Sequence, residues 1–513
     1  MEHPSQRVRQ FHAFLQKAHP PPDQLFLYRR PFRKLLSWAA LHYLPLKSAH
    51  LSAKIRLWGW QKFALLSVIF FSAAALIHDP LNSLIIFNLS FILFCLTIMG
   101  IRGMLLYLSM TDHRPRSPQD EALLKDNDLP IITILCPLYK EELGLPGLIE
   151  ALLALDYPHH KLDIKIILEE KDAGTIRLAH KLCAQAPFDI VVVPDGPLKT
   201  KPKACNYALW SALGELLVIY DAEDRPEPGQ LRLAASTFAR LPKKVACLQA
   251  RLNYYNREET WLTRLFAIEY ALLFDLVLPG LDRLGAPLPL GGTSNIFRTQ
   301  CLLDLGGWDP YNVTEDADLG LRMARAGFTT QMLDSTTYEE AKSKTGPWIR
   351  QRSRWIKGYL QTTLVHTRRL REKQPWQYYL TLYFLVGGVV LAALANPIFW
   401  GMYLLWLLGW GDFLEPLFPP PVSGLATFTF LAGNLLHIWL FMIAPMRRHW
   451  HDLVPYALLA PLYWGLQSWA GYKALFQFLI RPFYWEKTSH GPGQSSKEVM
   501  AKAMPQTPSI GEP

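Results

Sequence analysis

Acidic clusters and one aromatic–basic pentapeptide carry the chemical content of this chain. Asp221-Ala222-Glu223-Asp224 directly follows the apolar run Leu216–Tyr220. Carboxylates crowded at a strand end repel one another unless a cation sits among them. A hard divalent ion with oxygen ligands, Mg²⁺ or Mn²⁺, meets that need. Side chains at i and i+2 of an extended chain point the same way, so Asp221 and Glu223 are the expected metal pair. Thr314-Glu315-Asp316 opens a helical run, and one of its carboxylates can act as a general base. The competing reading makes Thr314 a helix N-cap and the acids partners of the helix dipole. Gln351-Arg352-Ser353-Arg354-Trp355 combines an amide, a guanidinium and a large ring just before the chain turns strongly apolar. The ring suits the apolar face of a sugar and the guanidinium suits a diphosphate. An aromatic–basic anchor at a membrane interface is the alternative.

Other positions support these. Glu141, after the strand-like run Ile131–Pro137, can accept from ribose hydroxyls or a base edge; a plain strand-end turn explains it equally well. Glu169, Glu170 and Asp172 end a second apolar run, where acids often form only a solvated rim. Lys199, Lys201 and Lys203 supply the cations a diphosphate needs, or form only a basic loop; Asn206 is a possible helix start, which would not exclude phosphate binding at its N-terminus. Gly291-Gly292 lets backbone approach a ligand closely.

The elements that must position these groups follow from periodicity. Short, nearly continuous apolar runs at 131–137, 164–168, 190–193 and 216–220 alternate with helical stretches such as 147–155 and 175–185. Strands buried on both faces and separated by helices predict a parallel α/β sheet. Ligands of such sheets bind beyond the carboxyl ends of the strands, where several of these motifs sit.

Two apolar blocks, roughly 62–108 and 378–480, flank this domain. The first predicts two membrane spans, 63–77 and 81–108, joined at Asp79-Pro80. In the second, Tyr378–Trp410 is either one kinked helix or a hairpin, Leu425–Ala444 is a span, and Leu453–Ile480 is expected to be re-entrant or interfacial. Thr363–Lys373 reads as a short basic helix. The expected division is a basic N-terminal segment (1–60), poorly ordered at its start and then membrane-lying; two spans (61–110); a catalytic domain (115–375); C-terminal transmembrane and interfacial helices (376–480); and a final segment with a disordered tail (481–513).

The net charge is +10 over 513 residues, half of them hydrophobic. Much of the excess precedes the first apolar block, which marks the cytoplasmic side of a membrane and suits anionic lipid headgroups. The charge forms no stripe beside aromatic readers, so no nucleic acid partner is expected. The six cysteines form no Cys-x-x-Cys pair and read as buried apolar residues of a reducing compartment. No cleavable signal peptide is visible, because the first apolar run starts too late.

The order of these motifs resembles that of processive, membrane-embedded family-2 glycosyltransferases, such as cellulose, hyaluronan and bacterial β-glucan synthases. The resemblance covers roughly residues 60–490. It implies a GT-A catalytic domain inserted between transmembrane helices, on the cytoplasmic face of the inner or plasma membrane. It also implies a UDP-sugar donor with Mg²⁺ or Mn²⁺, inversion at the anomeric carbon, a growing polysaccharide acceptor (glucose being the expected unit), and possible export subunits. Carried across, Glu141 and the acids through Glu170 and Asp172 resemble nucleoside contacts, and Lys203 the diphosphate lysine. Asp221 and Glu223 resemble the metal site, although Asp224 competes with Glu223 for the ion. Asp316 resembles the catalytic base. Gln351, Arg354 and Trp355 resemble the acceptor-end motif, and Trp485-Glu486-Lys487-Thr488 resembles a degenerate gating loop. Transfer of one sugar to a lipid carrier is the alternative activity, and an inactive membrane scaffold the alternative class.

Overall fold

The computed structural model describes residues 3–18, 20–21, 24–111, 123–183, 188–369 and 371–486. Lys487, Thr488 and the expected disordered tail lie outside them.

The central sheet has eight strands in the order β3-β2-β1-β4-β7-β6-β8-β5. The apolar runs form β1 (Ile132–Leu138), β2 (Leu162–Glu169), β3 (Phe188–Val193) and β4 (Leu216–Ile219), all parallel. Beyond β4 the expectation of a parallel sheet holds only in part. β7 (Asn295–Arg298) lies antiparallel to both β4 and β6 (Val245–Tyr254), and β6 pairs in parallel with β8 (Thr329–Glu339). The two-residue β5 (Arg225–Pro226) closes the edge antiparallel to β8.

This inversion is what gathers the site. Because β7 runs backwards, its beginning lies at the carboxyl end of β4. The Ser294 amide there donates to the Ile219 carbonyl at 3.0 Å, and the Thr293 hydroxyl donates to the same oxygen at 2.9 Å. Because β6 and β8 run with β4, the end of β8 at Glu339 reaches the same rim as Asp221. Two apolar layers, one on each face of the sheet, hold this arrangement.

The N-terminal segment departs from the expectation of a disordered start and membrane-lying pieces. Helices Pro4–Ala18 and Arg33–Lys47 dock on the catalytic domain, burying Val8, Phe11, Leu15, Leu36, Ala40 and Tyr43. Arg29 inserts beneath β3 and donates to Asp189, which also accepts from Lys165 at 3.1 Å. All three side chains are almost completely buried. Each charge there depends on its partners, since removing one leaves the others unpaired in a dry interior.

Four helical runs are long and apolar enough to cross a membrane: Gly59–His78, Pro80–Met110, Trp376–Leu417 and Val422–Met446. Asp79 caps the second, its carboxylate accepting from the Asn82 amide at 3.2 Å. Phe63, Phe70 and Ile77 are 74%, 68% and 85% exposed, an apolar surface that suits lipid rather than water. Trp376–Leu417 is one kinked run rather than a hairpin, with Pro397 inside it and Gly409 at φ +90°. The basic helix expected at 363–373 is absent: helix Thr345–His366 carries the Gln351–Trp355 pentapeptide and stops at His366. Helix Ala460–Ile480 packs along it.

Gly358, on the Thr345–His366 helix, permits the closest approach to the acid motif. A Cβ at this position would run into the Thr314 side chain. Gly358→Ala is therefore expected to cost about 1–3 kcal/mol through overpacking and to displace Glu315 and Asp316 relative to Arg354. Thermal unfolding in detergent measures the first effect, and an unchanged melting temperature would count against this close contact.

Candidate active site

A cavity of about 940 Å³ opens at the carboxyl ends of the strands and continues between the apolar helices. Asp221 and Glu223 from the end of β4, Glu315 and Asp316 from the start of helix Glu315–Arg325, and Gln351, Arg354 and Trp355 all line it. Glu141 and Glu169 line it as well.

Lys201 ties these walls together. Its ammonium donates to Asp221 at 2.6 Å and to the Gly292 carbonyl at 2.8 Å. Burial works against the charged form, but Asp221 and Glu315 outweigh it and hold the Lys201 pKa above its ordinary value. Gly292 in turn faces Asp316: a Cβ added there would lie 3.2 Å from Asp316 Oδ2. Glycine leaves that oxygen open to the cavity.

Thr314 makes no side-chain capping bond, which removes the simple N-cap account of this motif. Asp316 Oδ1 accepts from the Ala317 amide at 2.7 Å, which fixes the carboxylate's orientation. Burial raises the Asp316 pKa, opposed by that amide, Lys201 and Arg354. The neighbouring Glu315 is pushed up to about 8, first by burial and then by Asp316. Arg354 feels Glu315, Asp316 and Asp221, and its guanidinium lies 4.3 Å from the Trp485 ring centre. The segment after the last helix thus returns to the cavity, where Phe483, Tyr484 and Trp485 form part of its wall.

Three predicted ligands sit elsewhere. Lys203 is buried beneath the cavity wall, with its ammonium 3.2 Å from Glu169 and 3.1 Å from the Pro194 carbonyl. Lys201 and Lys203 are two apart on one helix, roughly 200° around its axis, so only one can face the cleft. Glu170 points away from Glu169, as alternation along a strand requires, and pairs with Arg33 at the surface. Asp172 caps helix Ala173–Leu182 and accepts from the Lys140 amide at 2.5 Å, so it braces the turn that carries Glu141 without reaching the cavity.

The donor set suits a divalent ion. Asp224 Oδ1 is buried without a hydrogen-bond partner, and burial followed by repulsion from Asp221 and Glu223 raises the Asp224 pKa well above the ordinary value. Glu339, which the sequence reading missed, lines the same wall and is raised by burial and by these same acids. Among the described residues no three such groups converge as a ready cage. Asp221 and Glu223 are the carboxylates on this wall that would hold such an ion, with phosphate oxygens and water filling the rest of its shell. Further lining residues not foreseen are Tyr139, Arg102, Glu269 and Gln467. Arg102 and Gln467 had only one sequence signal, a polar side chain inside an apolar run.

A mixed α/β sheet with an acid-lined cleft at its strand ends, joined to helices long and apolar enough to cross a membrane, is an architecture of the GT-A type. Residues 133–298 match the glycosyl transferase family 2 model and residues 216–467 match glycosyl transferase family group 2, so the chain carries a family 2 glycosyltransferase domain. It is 27% identical over 344 residues to the beta-monoglucosyldiacylglycerol synthase of Nostoc sp. (64% of this chain, 69% of that protein). It is 29% identical over 284 residues to cellulose synthase 2 of Novacetimonas hansenii (53% of this chain, 17% of that protein). The chain spans 56%, 69% and 17% of the lengths of the first three curated relatives it matches. Among solved structures, the mannosyltransferase PcManGT from Pyrobaculum calidifontis, in complex with GDP-Man and Mn²⁺, aligns over 78% of this chain and 99% of its own at 16% identity and TM-score 0.48.

The raised Glu315 pKa has a testable sign. Its folded value of about 8 lies above the ordinary 4.5, so the folded state binds the proton more tightly. This contribution to stability is complete below about pH 4.5 and is lost as pH rises through about 8. Glu315→Gln is expected to flatten the ligand-free protein's stability across that window; an unaltered pH profile would contradict the assignment.

Proposed function

We propose that this enzyme transfers a sugar, with inversion, from a nucleoside diphosphate donor to the end of a growing polysaccharide. The observation that carries this reading is the meeting of Asp221, Asp316, Arg354 and Trp355 on one cavity. The donor lies with its nucleotide toward Tyr139, Glu141 and Glu169 and its diphosphate toward Lys199 and Lys201, all of which line the cleft. Lys201 replaces Lys203 in this role.

Asp316 takes the proton of the acceptor hydroxyl as its oxygen bonds to the anomeric carbon. The bond from that carbon to the diphosphate oxygen breaks, and the electron pair leaves with the nucleoside diphosphate. Lys201 and Arg354 stabilise the charge that develops there. Burial keeps Asp316 more basic than an exposed aspartate, which suits proton abstraction near neutral pH. Trp355 offers a stacking face for the acceptor sugar. A Mg²⁺ or Mn²⁺ ion, held by Asp221 and Glu223, supplies further neutralisation of the diphosphate when bound.

UDP-glucose is the proposed donor. A cytoplasmic catalytic domain with the product exported across the membrane agrees with the basic residues that precede the first span. The Nostoc relative's name keeps a lipid acceptor as the second reading. The length of the product decides between them: a polymer supports the first, a single added sugar the second.

Asp316→Asn is expected to lower transfer by about a hundred- to ten-thousand-fold while retaining UDP binding. Asp221→Ala, or removal of divalent ions with a chelator, is expected to abolish metal-dependent donor binding in titrations with UDP. Undiminished polymer synthesis by the first variant would exclude Asp316 as the base, and undiminished UDP affinity in the second would exclude the metal role.

A further inference from the structure

Part of the cavity is walled by apolar residues of helices, including Leu273, Val277, Leu385 and Val389. Three polar side chains interrupt that wall: Arg102, Glu269 and Gln467. Arg102 lies inside the membrane-crossing run Pro80–Met110. Among the described residues it forms no hydrogen bond or ion pair. An arginine is costly within a span and is retained where it faces a functional cavity.

Glu269 is the hub beside it. It accepts from both terminal guanidinium nitrogens of Arg352, from the Tyr463 hydroxyl at 2.6 Å and from Gln467 Nε2 at 2.9 Å. This leaves the Gln467 carbonyl oxygen as an acceptor. The same hub fixes Arg352 at 4.6 Å from the Trp355 ring centre, in a nest of aromatic rings that includes Phe266 and Trp348. A stacking face, a multi-donor cation without a hydrogen-bond partner among the described residues and an amide acceptor therefore line the same cavity, linked through Glu269 and Arg352.

We propose that Arg102 and Gln467, oriented around Glu269, form a hydroxyl-reading subsite beside Trp355 that selects a saccharide acceptor over a diacylglycerol. The inference rests on the glycosyl-transfer reading above and deepens it. A sugar ring presents hydroxyls to Arg102 and Gln467 and an apolar face to Trp355. Acyl tails would bury the same polar groups without partners, which is unfavourable. Arg102 and Gln467 touch the acceptor in this account, whereas Glu269 and Arg352 are positioning residues.

Equilibrium binding to the full-length protein in detergent tests this. The probes are cellotetraose, laminaritetraose and UDP, each titrated separately, with transfer to dispersed diacylglycerol measured in parallel. Wild type is expected to bind at least one tetrasaccharide and to prefer it to diacylglycerol as acceptor. Arg102→Gln and Gln467→Leu are each expected to weaken tetrasaccharide binding about tenfold or more, with Arg102→Lys recovering part of the loss. UDP titration of each variant reports an intact donor side. Unchanged tetrasaccharide affinity in both variants, equal loss of UDP and tetrasaccharide binding, or a wild-type preference for diacylglycerol would each overturn the subsite. Wild type that binds tetrasaccharide but transfers from no nucleotide sugar would instead overturn the transfer reading.

Discussion

The contact between the Lys201 ammonium, Asp221 and the Gly292 carbonyl is the constraint on which the cleft depends. Asp221, Glu223, Asp224 and Glu339 gather negative charge at one rim, and an interior of low polarity amplifies their repulsion. Lys201 offsets part of it and at the same time pins the strand-end acids to the glycine turn. That turn faces Asp316. One half-buried cation thus sets the spacing between the wall that carries Asp221 and the wall that carries Asp316, which are distant in sequence. In the proposed mechanism the same ammonium also meets the diphosphate, so structural and catalytic demands would coincide on a single side chain.

The fold supplies the geometry for this contact through the reversed strand β7. Were β7 parallel to β4, its leading turn would emerge at the opposite edge and the glycines would never meet Asp221. On the other side, helix Thr345–His366 brings Arg354 and Trp355 against the acid motif, with Gly358 allowing the approach. Helix Ala460–Ile480 and the returning segment at Phe483–Trp485 complete the wall. The cleft is therefore assembled from the central sheet and the apolar helices together, and neither part contains it alone.

The sequence made part of this legible. β1 to β4 are buried on both faces and read as apolar runs, and the two membrane-length helices at Gly59–His78 and Pro80–Met110 stand out by composition. β8, Thr-Thr-Gln-Met-Leu-Asp-Ser-Thr-Thr-Tyr-Glu, is polar and only partly buried, so hydrophobic periodicity gave no strand there and Glu339 went unseen. Motif spacing identified Asp221, Asp316, Arg354 and Trp355 as companions. It could not tell Lys201 from Lys203 or Glu169 from Glu170, because the choice depends on which face of a helix or strand turns toward the cleft. Nor could it reveal the docking of the N-terminal helices, which rests on pairs such as Arg29 with Asp189, 160 residues apart.

That last pairing bears on how the molecule is made. Arg29 leaves the ribosome before either early membrane helix, whereas Asp189 and Lys165 emerge after both. The apolar faces of the N-terminal helices therefore stay uncovered until the sheet strands that carry Lys165 and Asp189 have been translated. Once β2 and β3 are translated, closure of the Arg29–Asp189–Lys165 cluster ties chain from before the hairpin to chain from after it.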